Sequence, residues 1–208
     1  MKNQLHIAPM TLMVMGLFVF SHCSEKKSQP GNPMSVNAAP KNAANVNGFA
    51  NQVAWGEHLV VIAGCNDCHT PKKMTAFGPV LDSARWLSGH PAQNPLIDVD
   101  RKELESKGLA VTSDLTEWVG PWGVSFAANL TPDPTGIGSW DEAQFMYALR
   151  EGKFKGLPGA RPLLPPMPWE MYRHMTDDEM KAVFAYLKSL KPISNLVPAP
   201  IPPVSMVN

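Results

Sequence analysis

Apolar side chains recur at helical spacing in two well-separated segments of the chain. The first segment runs from Phe49 to about Gly64, and the second follows Thr176 and continues to Leu190. Thr176 and Glu179 stand three residues apart just before the second apolar run, which is the pattern of a capping box. The pattern predicts a first and a last helix, each presenting one apolar face to a core.

Shorter elements are predicted between these two helices. Ser139 to Glu142 opens a third helix, which ends at Gly152, and residues 100–107 form a short fourth helix. Residues 109–130 hold β-branched and aromatic side chains around a Gly-Pro pair, which favours a small β-hairpin. The chain is therefore predicted to be mostly α, with long loops.

The two ends of the chain differ in composition from its middle. Residues 1–22 carry a basic residue and then an apolar run of signal-peptide length, shorter than the roughly 20 residues that span a bilayer. Residues 23–47 are polar and hold almost no large apolar side chain, so they are predicted to be a flexible tether. One domain is predicted over residues 48–191, and a Pro-rich tail follows over 192–208.

Composition narrows the class of protein. The 208 residues include 18 basic and 18 acidic side chains, so the formal net charge is zero and no nucleic acid is expected as a partner. The 21 prolines are about twice the usual share of roughly 5%, which agrees with a loop-rich structure. The three cysteines, Cys23, Cys65 and Cys68, are too few for a disulfide scaffold.

The run Cys65-Asn66-Asp67-Cys68-His69 carries the candidate chemistry. Its spacing is that of covalent c-type haem attachment, because two thiols three residues apart reach the two vinyl groups of one porphyrin and the adjacent imidazole reaches the iron. A thioredoxin-like dithiol needs a βαβ context, and a structural zinc site needs four ligands. The pattern favours one haem c, with Cys65 and Cys68 as the attachment residues and His69 as an axial ligand.

The sequence resembles class I c-type cytochromes of the bacterial periplasmic kind over nearly all of residues 50–191. Besides the haem motif, the resemblance rests on Gly78-Pro79, on Asn-Leu-Thr-Pro-Asp at residues 129–133 and on Pro-Pro-Met-Pro-Trp at residues 165–169. It implies a cytochrome c-like helical fold around one covalently bound haem.

The resemblance also implies particular contacts. The first and last helices are expected to cross where Gly56 and Tyr186 stand, and the Pro79 carbonyl is expected to accept a hydrogen bond from the free ring nitrogen of His69. The segment between residues 72 and 138 is longer than in a minimal cytochrome, and its role stays open.

Met167 is the leading candidate for the sixth iron ligand. Three prolines surround it, so its segment is rigid and cannot be helical. The resembled family also carries its axial methionine in a loop just before the last helix. Met171 and Met175 are the alternative ligands, and the remaining alternative is that Met167 only packs in the core.

Other polar residues are weaker candidates. Arg161, Trp122 and Asn129 are in reach of the haem propionates in this interpretation, and each has an equally good alternative as a solvated or packing residue. His90 and His174 are predicted to be ordinary surface residues.

The segment that ends at Cys23 resembles a bacterial lipoprotein signal. Cys23 is therefore the predicted lipid attachment residue, which would hold the protein at the periplasmic side of the cell envelope. The alternative is ordinary secretion, with Cys23 removed or left free.

These observations predict a function in electron transfer. With His69 and Met167 both bound, the iron has no position left for a substrate, so the protein is expected to be an electron carrier between a redox protein donor and a redox protein acceptor and not an enzyme by itself. It could serve as the cytochrome subunit of a dehydrogenase or an oxidase. The alternative is a peroxidase-like haem enzyme or a small-gas sensor with a labile sixth ligand.

Overall fold

Helices dominate the structure, as the sequence predicts. The computed structural model describes residues 45–206. Its helices are α1 (Gln52–Ile62), α2 (Cys65–His69), α3 (Arg101–Ser106), α4 (Glu142–Glu151), α5 (Trp169–Tyr172) and α6 (Asp177–Ser189). Its strands form two antiparallel hairpins, β1 (Lys72–Thr75) with β2 (Gly78–Leu81) and β3 (Glu117–Gly120) with β4 (Gly123–Phe126).

The crossing of α1 and α6 forms the centre of the core. A Cβ atom on Gly56 would lie 1.9 Å from the Ala182 carbonyl oxygen and 2.9 Å from the Tyr186 Cβ, so only glycine permits this approach. The predicted contact between Gly56 and Tyr186 is confirmed. The buried side chains around the crossing include Trp55, Leu59, Val60, Phe145, Val183, Phe184 and Leu187.

The helix starts follow from their capping residues. Thr176 and Glu179 form the predicted capping box of α6, and Asp100 caps α3. The predicted start of α4 is wrong by two residues: Asp141 is the N-cap, and its carboxylate accepts a hydrogen bond from the Gln144 N–H at 2.7 Å. Asp141 has the extended backbone that an N-cap needs, so the turn containing Ser139 stays outside the helix.

One of the two hairpins is predicted by the sequence. The β3–β4 hairpin has the expected Gly-Pro turn, and Glu117 pairs with Phe126 at its open end. The β1–β2 hairpin is not predicted, because its strands are short and its side chains are mostly exposed, so no alternation of buried and exposed positions marks them.

The Pro-rich tail is packed against the domain as far as it is described. The Ile201 backbone exchanges two hydrogen bonds with Val124, at 2.8 and 3.0 Å. The Asn195 side-chain amide donates to the carbonyls of Ser88 and His90, at 2.7 and 2.9 Å. The boundary predicted at residue 191 therefore does not mark the end of the packed structure.

The structure does not test the predictions for the N-terminal segment. The signal peptide over residues 1–22, Cys23 and the tether up to residue 44 lie outside the described residues. Within residues 45–206, no helix combines the length and the apolar character needed to cross a membrane.

Candidate functional site

Helix α2 is a single short helix that presents the Cys-x-x-Cys-His motif. Gly64 precedes it with a φ of +69°, a left-handed conformation that glycine adopts without strain and that separates α2 from α1. Cys65 and Cys68 are free thiols, and their spacing of three places both on one side of the helix. The motif therefore has the local geometry that two attachments to one flat ring require.

The thiols lack the electrostatics of a reactive dithiol. Burial raises the pKa of Cys65 to about 11, and burial also raises the pKa of Cys68. Cysteines that act in thiol–disulfide exchange have a lowered pKa instead. This site fits cysteines that end as thioethers better than it fits a redox-active pair.

The imidazole of His69 is fixed by one long-range hydrogen bond. Its Nδ1 donates to the Ala128 carbonyl at 2.7 Å, 59 residues further along the chain. The proton on Nδ1 leaves Nε2 as the free ring nitrogen, and burial lowers the pKa of His69, which favours the neutral imidazole. A neutral, oriented imidazole is the form that binds a metal, so the donor set fits a haem iron.

The prediction that Pro79 accepts this hydrogen bond is wrong. Pro79 lies on the exposed strand β2, where it pairs with Met74 across the hairpin. The chain turns into the β1–β2 hairpin directly after the motif, which carries Pro79 to the surface. The Ala128 carbonyl, just beyond β4, takes the place that the resemblance gave to Pro79.

Backbone hydrogen bonds hold Ala128 in position. The neighbouring Ala127 donates to the Thr116 carbonyl at 2.8 Å and accepts from the His90 N–H at 2.9 Å. The Gly89 N–H donates to the His69 carbonyl at 2.8 Å. The long segment between residues 72 and 138 thus forms the wall behind the candidate axial histidine.

The loop that carries Met167, residues 163–168, precedes helix α5 and is called the methionine loop below. Met167 is half-buried, and its N–H donates to the Leu164 carbonyl at 3.2 Å. A cleft of about 210 Å³ lies beside it, lined by Leu163, Pro165, Pro166, Met167, Pro168, Trp169 and Glu170. Of the two alternatives, Met171 is 73% exposed and Met175 packs against the core cluster. Met167 is thus the methionine that borders an open space.

Two side chains connect this loop to the rest of the site. Ser125 Oγ donates to the Pro165 carbonyl at 2.7 Å and accepts from the Trp122 indole N–H at 3.0 Å. The Tyr172 hydroxyl donates to the carbonyl of Ala63 at 2.5 Å, two residues before Cys65. The loop is therefore held directly from β4, and helix α5 at its far end is held from the end of α1.

Sequence reasoning missed the role of Tyr172. Burial raises its pKa to about 12, and the charges of Cys65 and Cys68 act in the same direction. No motif marks this residue, because the contact joins positions 109 residues apart.

The three candidates for binding the haem propionates have different surroundings in the structure. Asn129 is buried, and its amide bonds to Thr131, to the Ile193 carbonyl and to other neighbours, so it stabilises the loop that follows Ala128. Trp122 donates its only side-chain N–H to Ser125. Arg161 places its guanidinium 4.0 Å from the ring centroid of Phe154 and donates to the Pro162 carbonyl, so its role toward a propionate stays a prediction.

The histidines outside the motif do not all lie on the surface. His174 is exposed, as predicted. The prediction for His90 is wrong: only 2% of it is exposed, because the loop that carries it is covered by Asn195 of the tail and packs against the ring of Phe126.

Comparison with known proteins points to one family. The family model of cytochrome c matches residues 53–191. A nicotinate dehydrogenase subunit of Pseudomonas putida is 41% identical over 80 residues, which are 38% of this chain and 6% of that protein. The fructose dehydrogenase cytochrome subunit of Gluconobacter japonicus is 27% identical over 161 residues, 76% of this chain and 26% of that subunit.

A third relative is the cytochrome c subunit of the quinone alcohol dehydrogenase of Gluconacetobacter polyoxogenes, 38% identical over 76 residues, 36% of this chain and 16% of that subunit. The chain thus spans between 6% and 26% of the length of these relatives. The family match covers more than half of the chain and includes the two thiols and the oriented imidazole of α2. The chain belongs to the cytochrome c family.

Proposed function

We propose that this protein carries single electrons on one haem c, as a cytochrome subunit that serves a dehydrogenase at the bacterial cell envelope. The observation that carries the proposal is the geometry of α2, where two free thiols stand beside an imidazole that donates to the Ala128 carbonyl at 2.7 Å. Relatives named as cytochrome subunits of fructose and alcohol dehydrogenases support a role in electron transfer.

The residues of α2 would hold the cofactor. Cys65 and Cys68 provide the two thioether attachments, and His69 provides Nε2 as an axial ligand. When bound, the haem supplies an iron that changes between the ferric and ferrous states. Both cysteines outside the N-terminal segment belong to this motif, which supports a single covalent haem in this chain.

Met167 completes the coordination in this proposal. Support comes from its half-buried position beside the cleft and from the anchoring of its loop by Ser125 and Tyr172. A thioether ligand stabilises ferrous iron and raises the reduction potential. A loop held from two sides keeps the sulfur in place in both oxidation states, which suits a carrier and disfavours the binding of an external substrate.

The dehydrogenase is proposed as the electron donor. A subunit with one haem passes electrons one at a time, so the donor must deliver the two electrons of a substrate oxidation in two steps. A second redox protein then accepts each electron from the haem.

Lipid attachment at Cys23 would keep the carrier near such partners. In this proposal the polar residues after Cys23 would serve as a tether that raises the local concentration of the domain at the membrane. Replacing Cys23 with serine should release the mature protein into the soluble periplasmic fraction. Mass spectrometry that finds an unmodified N-terminus at another residue would rule out the anchor.

The central experiment tests whether the haem is covalently attached in the purified holoprotein. Haem should stay with the polypeptide after acid-acetone extraction, and the double variant Cys65→Ala/Cys68→Ala should lose haem staining on a denaturing gel. Extraction of the haem from the intact protein would refute covalent attachment.

The sixth ligand is tested with matched methionine variants. The ferric protein should show the near-infrared band of methionine-ligated iron, which Met167→Ala should abolish and Met171→Ala should leave unchanged. Met167→Ala should also lower the reduction potential and admit carbon monoxide. A wild-type protein without this band and with an open iron would support the haem enzyme or gas sensor instead.

A further inference from the structure

Asn195 of the C-terminal tail is half-buried, and its side chain binds one loop with both of its polar atoms. The amide nitrogen donates to the carbonyls of Ser88 and His90, at 2.7 and 2.9 Å. The amide oxygen accepts from the Ala92 N–H at 3.1 Å. Three hydrogen bonds from a single side chain therefore fix the backbone of residues 88–92.

The loop that Asn195 binds lies directly against the backbone that holds His69. Gly89 has a φ of +77°, and a Cβ atom on it would lie 2.7 Å from the Ala128 carbonyl oxygen, the acceptor of the His69 Nδ1–H. The Gly89 N–H also donates to the His69 carbonyl at 2.8 Å, and the His90 N–H donates to the Ala127 carbonyl at 2.9 Å. Residues 89 and 90 thus hold both the candidate axial histidine and the peptide group that orients its ring.

The backbone of Asn195 is connected to the other side of Ala128. Its N–H donates to the Thr135 hydroxyl at 3.0 Å, and the same hydroxyl accepts from the Asn129 amide at 3.1 Å. Asn129 directly follows Ala128, and its amide also donates to the Ile193 carbonyl of the tail at 2.8 Å. The tail around Asn195 therefore fixes the chain on both sides of the Ala128 carbonyl.

We propose that Asn195 is a positioning residue for the axial histidine and keeps the His69 Nδ1–H bonded to the Ala128 carbonyl. The inference rests on the proposed function, in which His69 is a ligand of haem c. A carbonyl that accepts from Nδ1–H makes the imidazole a more basic ligand. A more basic ligand stabilises ferric iron, so this hydrogen bond lowers the reduction potential. Asn195 acts on the potential through His69.

The test is the reduction potential of the Asn195→Ala holoprotein, whose expected change has a definite sign. Release of residues 88–92 weakens the hydrogen bond between His69 and Ala128, so the potential should rise. A general loosening that detached Met167 would lower the potential instead, which separates a positioning role from a merely structural one. In proton NMR of the ferrous protein, the His69 Nδ1–H should exchange with solvent about tenfold faster than in the wild type.

Two control variants test whether the effect belongs to Asn195. Asn94→Ala removes an exposed asparagine just beyond residues 88–92. Glu105→Ala removes the acceptor of the Val204 N–H, which lies 2.7 Å away, and so loosens the end of the tail while Asn195 stays in place. Both variants should keep the wild-type potential and Nδ1–H exchange rate. An equal rise in potential in Glu105→Ala would assign the effect to the tail as a whole and overturn the role of Asn195.

A measurement on the wild type decides the question if Asn195→Ala does not fold. In native-state hydrogen exchange with increasing urea, the Ala92 N–H reports the opening of the contact with Asn195, and the His69 Nδ1–H reports the release of the histidine. Both should exchange through one opening of the same free energy. An Ala92 amide that opens while the Nδ1–H stays protected would contradict the positioning role.

The outcomes separate this inference from the proposed function. A protein that binds no covalent haem refutes the proposed function and the inference with it. A covalent haem whose potential is unchanged or lowered in Asn195→Ala refutes the role of Asn195 and leaves the electron carrier intact.

Discussion

Ser125→Ala is the change that most directly tests how the methionine loop is held. Ser125 is buried, and its hydroxyl joins the Trp122 indole N–H to the Pro165 carbonyl. Alanine fits the same space but leaves that donor and that acceptor without their partner. The bond to Pro165 exists only while the loop is closed, whereas the bond from Trp122 lies within the β3–β4 hairpin. Loss of the bond to Pro165 therefore raises the free energy of the closed loop alone.

The size of the effect on loop opening follows from the one lost bond to Pro165. Leaving a buried donor or acceptor unpaired costs about 1–3 kcal/mol, and water entering the cleft recovers part of this. A net loss of about 2 kcal/mol lowers the ratio of closed to open loop by about 30-fold. If alkali displaces Met167 through the open loop, the midpoint of that displacement should fall by about 1.5 pH units.

The assay is a pH titration of the methionine–iron band in the ferric protein. Ser106→Ala is the matched control, because Ser106 also donates to a carbonyl but lies exposed on α3. It should leave the midpoint where the wild type has it. A Ser125→Ala midpoint equal to that of the control would show that this hydrogen bond does not hold the loop.

Three further predictions concern the stability of the fold. Gly56→Ala should lower the free energy of unfolding by about 3 kcal/mol, since the new Cβ atom has no room against Ala182. Thermal or urea unfolding measures this change, and an unchanged value would refute the crossing as described. The Lys73 ammonium lies 2.7 Å from the Asp82 carboxylate and is the main cause that lowers the pKa of Asp82 to about 2. The Asp82 carboxylate therefore stabilises the fold above about pH 4, and this stabilisation is lost as the pH falls toward 2. Asp82→Asn should therefore be less stable than the wild type at pH 7, and the two urea midpoints should converge below pH 4. Asn195→Ala should speed amide hydrogen exchange in the tail by about tenfold or more, because three backbone groups lose their partner.

Local patterns in the sequence carried the best predictions. The capping box at Thr176, the short helix over residues 100–107 and the Gly-Pro hairpin each depend on residues within a few positions of one another, and the structure has all three. The match of the cytochrome c family to residues 53–191 agrees with the family inferred from the Cys-x-x-Cys-His motif. Such features can be predicted from the sequence because the interacting groups are neighbours in the chain.

Contacts between distant residues were the part that the sequence did not provide. The partner of His69 is a backbone carbonyl, and any residue offers a carbonyl, so nothing in the sequence distinguishes Ala128 from Pro79. The burial of His90 was missed for a related reason. Its Gly and Pro neighbours are typical of surface loops, whereas the tail residue that covers it, Asn195, lies 105 positions away.

The apolar pattern of α1 was also only partly informative. Trp55 and Leu59 are buried, as helical spacing predicts, whereas Val53 is 38% exposed and Ile62 is 64% exposed. Side chains on a short helix that is apolar almost all round do not show which face meets α6. The face is decided by Gly56, where the two backbones approach.

The crossing of α1 and α6 has a consequence for the order of maturation. Cys65 lies just after α1 and packs against the core that the crossing creates, so its thiol becomes enclosed once the two helices meet. Because these helices come from opposite ends of the domain, their meeting requires closure of a long loop, and the entropic cost of that closure slows this step. We therefore expect biogenesis to proceed with the haem joined to an open chain, and refolded apoprotein to be a poor substrate for the attachment machinery.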